Sequence, residues 1–337
     1  MVVRFAIVGT GRISSWILKG ALQESRFKAV AVCSRTKENA ERFINEHPEA
    51  FAEGQTKIFT SIDDVCRCSE VDAVYIGTPN STHCPLSVKC LKAGKHVICE
   101  KPLACNEEEV QKMIDAAREG GAVLMEAMIS ILNPNFRKAV ETLPELGPIR
   151  HYQSSYCQYS SKYDDLKKGI VANSFNPQMG GGALEDIGIY TVYPVVALFG
   201  EPSSIGVSRV TVPSQYGDVD LQGNINMQYD GMTVNLAYSK AVDCFSPTEI
   251  CGEKGNLQLD AVHICRKVSY APHGAPASGR GKLSAFETVS EGLDRDEYYY
   301  EFKEFCDVIE SGESESQINS LKTSLLCRRI MDKVKTQ

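Results

Sequence analysis

Val3-Arg4-Phe5-Ala6-Ile7-Val8-Gly9-Thr10-Gly11-Arg12-Ile13-Ser14 passes from a short apolar run through two glycines into an amphipathic stretch. Read as strand, turn and helix, it holds G-x-G-x-x-S where a dinucleotide fingerprint belongs. Gly9 permits the tight turn, Gly11 lets backbone N–H groups approach a pyrophosphate at the helix N-terminus, and Ser14 is small enough for close packing of helix on strand. Serine stands where Gly or Ala is usual. A lone G-x-G is a weak signal, and a plain strand-to-helix turn is its rival. Its place at the head of a βαβ series favours the fingerprint, so Gly9, Thr10, Gly11, Arg12 and Ile13 are candidate cofactor-binding residues.

Working outward, β-branched runs at 3–8, 29–33, 57–59, 73–77 and 96–99 alternate with helical patterns at 13–23, 37–45, 61–66, 85–92 and 107–119. A sixth strand fits 122–125. This alternation predicts an α/β domain with a doubly wound parallel sheet over residues 1–125. From 126 to 337 the pattern changes. Runs at 150–158, 221–229, 233–238, 248–251 and 256–259 favour consecutive strands, with Tyr229-Asp230-Gly231-Met232 as a hairpin turn. A mostly antiparallel sheet in an α+β domain follows. Helices are expected at 182–199, 297–311 and 320–335, the last returning to the first domain, and a surface loop at 271–284.

The second strand bears on the nucleotide. An NAD enzyme places a carboxylate there for the ribose 2′-hydroxyl, whereas an NADP enzyme uses a cation. Here the strand ends Cys33-Ser34-Arg35-Thr36-Lys37. The Arg35 guanidinium can fork onto a phosphate with the Ser34 and Thr36 hydroxyls as further donors, which predicts NADP(H). Solvated loop charges are the bland alternative. In the strand order 3-2-1-4-5-6 the fourth strand's loop faces the Gly9 turn, so Thr78, Pro79 and Asn80 would line the cofactor. His83 is a further candidate, set against a histidine that only satisfies local hydrogen bonds.

The fifth strand runs into Glu100-Lys101-Pro102, at the sheet end where ligands bind. Lys101 there can hold a substrate oxygen or depress a neighbour's pKa; a surface lysine paired with Glu100 explains the tripeptide equally well. A cis peptide before Pro102 would aim Lys101 sharply. The other half of the chemistry falls in Gly180-Gly181-Gly182-Ala183-Leu184-Glu185-Asp186-Ile187-Gly188-Ile189-Tyr190. Asp186 and Tyr190, four apart, share a helical face. A phenol of pKa about 10 is brought toward neutrality by a cationic lysine, so Tyr190 suits a general acid/base and Asp186 a hydroxyl acceptor. A buried tyrosine capping a carbonyl is the structural alternative.

Together these motifs resemble the Gfo/Idh/MocA oxidoreductase family. The resemblance covers nearly the whole chain: the Gly9 turn, Thr78-Pro79-Asn80 with His83, Glu100-Lys101-Pro102, and the glycine run into Asp186. It implies an N-terminal Rossmann domain, a C-terminal domain with a large open sheet for substrate and oligomerisation, and a homodimer or homotetramer through that sheet. It also implies catalytic roles for Lys101 and Asp186, with Glu100 and Lys101 at the cofactor. Tyr190 and Met125-Glu126-Ala127 look like the branch of trans-dihydrodiol and NADP-dependent D-xylose dehydrogenases, although Met128, Ile129 and Ser130 supply no aromatic where that branch tends to have one. The expectation is a cytoplasmic NADP-dependent oxidoreductase acting on a sugar-like or small diol substrate. An NAD-dependent inositol-type enzyme, which would have an acidic second-strand end and a histidine at position 190, and a non-catalytic NADP-binding sensor are the alternatives.

Composition agrees. The 337 residues carry a net charge of −7 with no long basic run, which argues against nucleic acid. Neither a secretory leader nor an apolar run of about 18 residues is apparent. Thirteen cysteines include one close pair, Cys66 and Cys68, without the spacing of a metal site, so no metal is expected. Reduced thiols, most of them buried, are expected instead.

Overall fold

Strands buried on both faces need apolar residues at every position, and β1 (Val3–Val8) is such a strand, with only Arg4 half-exposed. The computed structural model describes residues 1–51, 54–274 and 285–337. From β1 the chain enters α1 (Arg12–Ala21), β2 (Phe27–Cys33), α2 (Lys37–Glu46), β3 (Lys57–Phe59), α3 (Ile62–Arg67), β4 (Ala73–Ile76), α4 (His83–Lys92), β5 (His96–Glu100), α5 (Glu107–Gly120) and β6 (Leu124–Ala127). All six strands are parallel, in the order β3-β2-β1-β4-β5-β6. This is the expected doubly wound sheet, with the order reversing between β1 and β4. Thr36 caps α2 by accepting the Asn39 amide, and Asn106 caps α5 by accepting that of Glu109.

Beyond β6 come α6 (Ile129–Leu132), α7 (Pro134–Thr142), β7 (Ile149–Cys157), α8 (Tyr163–Lys167), a π-helical turn at Leu184–Gly188, α9 (Ile189–Phe199), β8 (Ser204–Val212), β9 (Val219–Tyr229), β10 (Met232–Ser239), β11 (Thr248–Gly252), β12 (Gly255–Leu259), β13 (Val268–Pro272) and β14 (Glu287–Thr288). They form one eight-stranded sheet, β14-β13-β12-β11-β7-β10-β9-β8, antiparallel except where β7 meets β10. Strict alternation along β9 buries Leu221, Ile225 and Met227 and exposes Asn224, Asn226 and Gln228. The expected hairpin joins β9 to β10, with Gly231 at φ +67°.

The sequence reading missed β8, whose Gly206 and solvent-facing Ser204, Ser208 and Val210 blur the apolar alternation, and it missed the short α7 and α8. The loop expected over 271–284 lies outside the described residues from 275 on, while Ala271 and Pro272 end β13. One stretch, Pro177–Phe199, is apolar and long enough to cross a membrane by composition, contrary to the sequence reading. Its apolar 18-residue window is 72% buried inside the protein, as a core helix is.

Helices α10 (Tyr299–Ser311) and α11 (Leu321–Thr336) close the chain. Two compact units result: Met1–Ile129 with Arg295–Arg328, and Ser130–Asp294 with Arg329–Gln337. The apolar face of α10 explains its membership of the first unit. Phe302 lies edge-on to Phe5 and Phe27, with ring centroids 5.7 and 5.2 Å away.

Candidate active site

In the first unit the backbone dictates the shape of the fingerprint turn. Gly9 has φ +99°, and a side chain there would start 2.3 Å from the Gly77 carbonyl, so the turns after β1 and β4 touch where only hydrogen fits. Gly11 is extended at the head of α1, with nothing within 4 Å of where a side chain would begin. That opening, at the positive end of a helix, fits a dinucleotide pyrophosphate. Ser14 is fully buried, and its Oγ lies 2.8 Å from the Cβ that Gly77 lacks. The structure thus makes Gly77 a partner of the fingerprint, a role the sequence reading did not assign. Arg12 is exposed beside the Trp16 ring, and Ile13 is half-buried.

The β2 turn is tied to the same place. Ser34 Oγ and Thr10 Oγ1 are hydrogen-bonded at 3.3 Å, which joins the end of β2 to the glycine turn. Arg35 and Thr36 are exposed beyond it. The Thr36 oxygen accepts the Asn39 amide at 3.3 Å, leaving its O–H as a donor.

Thr78 and Asn80 are half-buried after β4, and Pro79 is exposed. His83 is fully buried, with Nδ1 and Nε2 each 2.9 Å from a backbone carbonyl, those of Pro102 and Thr78. Burial lowers its pKa against the pull of the two carbonyls. Both ring nitrogens face the protein, so His83 braces two loops instead of offering a nitrogen to a cofactor.

The peptide between Lys101 and Pro102 is cis. Glu100 belongs to β5 itself; it is buried, and its carboxylate accepts the Tyr75 hydroxyl at 2.8 Å, which turns it into the unit and away from a ligand-facing role. Burial of Glu301 on α10, and after it the nearby Glu100 charge, raises the Glu301 pKa well above the carboxylate range, while Lys101 opposes the shift. Glu126, from the Met-Glu-Ala triplet, accepts the Leu103 amide at 2.9 Å and so secures the chain just after Pro102.

Asp186 and Tyr190 belong to the second unit. The glycine run packs tightly, a side chain on Gly181 starting 2.5 Å from the Asn173 carbonyl. The π-turn replaces the regular helix expected through Asp186, a wider winding often found at functional sites. The Asp220 carboxylate accepts the Leu184 amide at 2.7 Å at the head of that turn, and burial pushes its pKa up to about 6. Asp186 Oδ2 accepts the Lys240 ammonium at 2.6 Å. Tyr190 stands edge-on to Tyr156, centroids 5.6 Å apart, and Tyr156 stacks flat on His263 at 4.1 Å. Burial pushes the His263 imidazole down to about 4, so it is neutral at pH 7. None of Lys240, Tyr156 and His263 was foreseen. Their signal lies in contacts between segments distant along the chain, which spacing does not reveal. Among the described residues, no group of three His, Cys, Asp or Glu side chains could hold a metal ion.

Comparison with known proteins follows the same division. Residues 3–128 match the profile of an oxidoreductase family with an NAD-binding Rossmann fold, and residues 137–258 match the GFO/IDH/MocA C-terminal domain. The chain is 36% identical to scyllo-inositol 2-dehydrogenase (NADP(+)) IolU of Bacillus subtilis (strain 168), over 99% of this chain and 97% of that protein. It is 27% identical to human trans-1,2-dihydrobenzene-1,2-diol dehydrogenase, over 99% and 96%. The fold matches KijD10, a 3-ketoreductase from Actinomadura kijaniata solved with NADP and TDP-benzene, with TM-score 0.81, 22% identity, and coverage of 100% of this chain and 98% of that one.

Proposed function

The chain belongs to the Gfo/Idh/MocA family of oxidoreductases, and from that premise we propose that it transfers a hydride between NADP and a CH–OH carbon of a sugar-like polyol. One observation carries the nucleotide preference: the turn after β2 presents exposed Arg35 and no carboxylate, and Ser34 joins it to the fingerprint. The Bacillus relative is named for NADP(+) and an inositol, which supports both the nucleotide and a cyclic polyol as substrate.

When bound, the cofactor supplies the nicotinamide carbon that takes or returns the hydride. The protein's own part is the proton. In the oxidative direction Tyr190 removes the proton from the substrate hydroxyl, and in the reductive direction it returns it to the carbonyl oxygen. Asp186 accepts a hydrogen bond from a substrate hydroxyl and fixes the ring's orientation. Lys101 supplies the cation that favours the alkoxide-like oxygen. Polyols, aldoses and trans-dihydrodiols differ in where their hydroxyls lie, so the test is a panel of scyllo-inositol, myo-inositol, D-xylose, D-glucose and a trans-dihydrodiol. Reduced nicotinamide is followed by absorbance with NADP+ and with NAD+ separately. Turnover of a polyol or aldose with NADP+ preferred supports the proposal. Binding of NADP+ without turnover across the panel supports the sensor alternative.

A further inference from the structure

Lys240 directly follows β10, and its amide still continues the ladder, donating to the Leu221 carbonyl at 3.0 Å. Its side chain is 4% exposed. A buried ammonium loses its hydration and requires compensation at every turn. Its contacts include Asp186 Oδ2 at 2.6 Å, the Ser174 carbonyl at 3.1 Å, and the face of Phe175, whose centroid is 4.1 Å from Nζ. Ser174 and Phe175 lie in the turn that leads into the glycine run, and that run folds back on it. Gly181 donates its amide to the Asn176 carbonyl at 2.8 Å, and Gly182 donates to that of Ser174 at 3.1 Å.

The geometry points to Lys240 as a positioning residue that clamps the Ser174–Phe175 turn onto Asp186 and so fixes the carboxylate that receives the substrate hydroxyl. The inference deepens the reading of Asp186 given above and rests on it. Asp186 is 37% exposed at its side chain, so it is accessible to a ligand on one side while the ammonium holds Oδ2 on the other. An ion pair of this kind is ill suited to raising stability, because burying the lysine costs as much as the pair returns; it is well suited to fixing a geometry. A surface lysine could not do so, since solvent would leave its chain mobile.

A double-mutant cycle on Lys240→Met and Asp186→Asn tests this, with NADP+ and the best polyol of the panel. Lys240→Met is expected to lower kcat/KM at least tenfold, chiefly through KM for the polyol, with the Kd for NADP+ unchanged. Asp186→Asn is expected to lower it more, and the double variant to be no worse than Asp186→Asn. Lys240→Arg, which keeps the cation, is expected to recover part of the loss. Losses that multiply in the double variant, or an unchanged kcat/KM in Lys240→Met beside an impaired Asp186→Asn, overturn the role of Lys240 alone. An unimpaired Asp186→Asn overturns the reading of Asp186 and this inference with it. A readout free of activity completes the test: amide exchange at Gly181 and Gly182 is expected to rise at least tenfold in Lys240→Met, or in Lys240→Gln should the methionine variant not fold. Unchanged protection there overturns the clamp.

Discussion

Glu126 accepts the Leu103 amide at 2.9 Å while fully enclosed in the first unit, so a single carboxyl fixes the chain beside the cis Lys101–Pro102 peptide. Burial raises its pKa from the ordinary 4.5 to about 7, against hydrogen bonds from Ser324 and Leu103 and the charge of Arg328. A carboxyl whose pKa rises on folding adds stability that is full below pH 4.5 and is lost as pH climbs through about 7. The contribution is about 3 kcal/mol at most. Glu126→Gln keeps an acceptor for Leu103 and removes the titration. Relative to wild type, the variant should therefore gain stability between pH 5 and pH 8. Unfolding midpoints measured at both pH values check this, and an identical difference at the two would refute it.

Arg35 is the cation on which NADP preference depends. Its replacement by alanine removes charge-assisted hydrogen bonds worth about 1.5–3 kcal/mol, or roughly a 10- to 150-fold weaker Kd for NADP+. Binding of NAD+, which lacks the 2′-phosphate, should stay within about twofold. Titration of both nucleotides against wild type and Arg35→Ala reads the difference directly.

Much of the first unit was legible because each signal was local. Continuous apolar strands, helices at fixed spacing and the Gly9 turn all lie within a few residues of their own cause, and the strand order is the one common to dinucleotide-binding sheets. The second unit was legible in class and in most of its strands. Its chemistry was not, because Lys240 meets Asp186 across 54 residues of chain and Tyr156 on β7 meets His263 from the distant loop between β12 and β13. His83 shows where spacing stops short: its motif position fits both a ligand-facing imidazole and one that only satisfies local hydrogen bonds, and the two carbonyl partners that favour the second become visible only in three dimensions.

Gly9 leaves no room for a side chain. Gly9→Ala combines a φ of +99° with a Cβ 2.3 Å from the Gly77 oxygen. The backbone strain alone costs about 1–3 kcal/mol. The turn after β1 must also move away from β4, so dinucleotide affinity should fall as well. Gly11→Ala, with open space around the site, should cost far less in stability while still weakening nucleotide binding. Thermal midpoints and NADP+ titration of the two variants separate the effects.

Tyr190 carries the proton in the proposed reaction. Removing a general acid/base lowers turnover by about 10²–10⁴-fold. Tyr190→Phe should show that loss in kcat while retaining the ring contact with Tyr156 and an unchanged Kd for NADP+. Single-turnover kinetics with the active polyol check it; wild-type turnover would move the proton to another group.

The thirteen thiols are unequal, and most are enclosed, as expected. Cys244 is the exposed one, whereas the remaining twelve are buried or half-buried. Hydrogen bonds from Ser246 lower the pKa of its thiol, and burial raises that of its cross-strand neighbour Cys157 to about 11. Thiolate fraction and access together set alkylation rate. Under native conditions, then, iodoacetamide should label Cys244 ahead of every other thiol, and the fast phase should vanish in Cys244→Ser. Peptide mapping after brief labelling identifies the site, and a fast phase that survives the substitution would place the reactive thiol elsewhere.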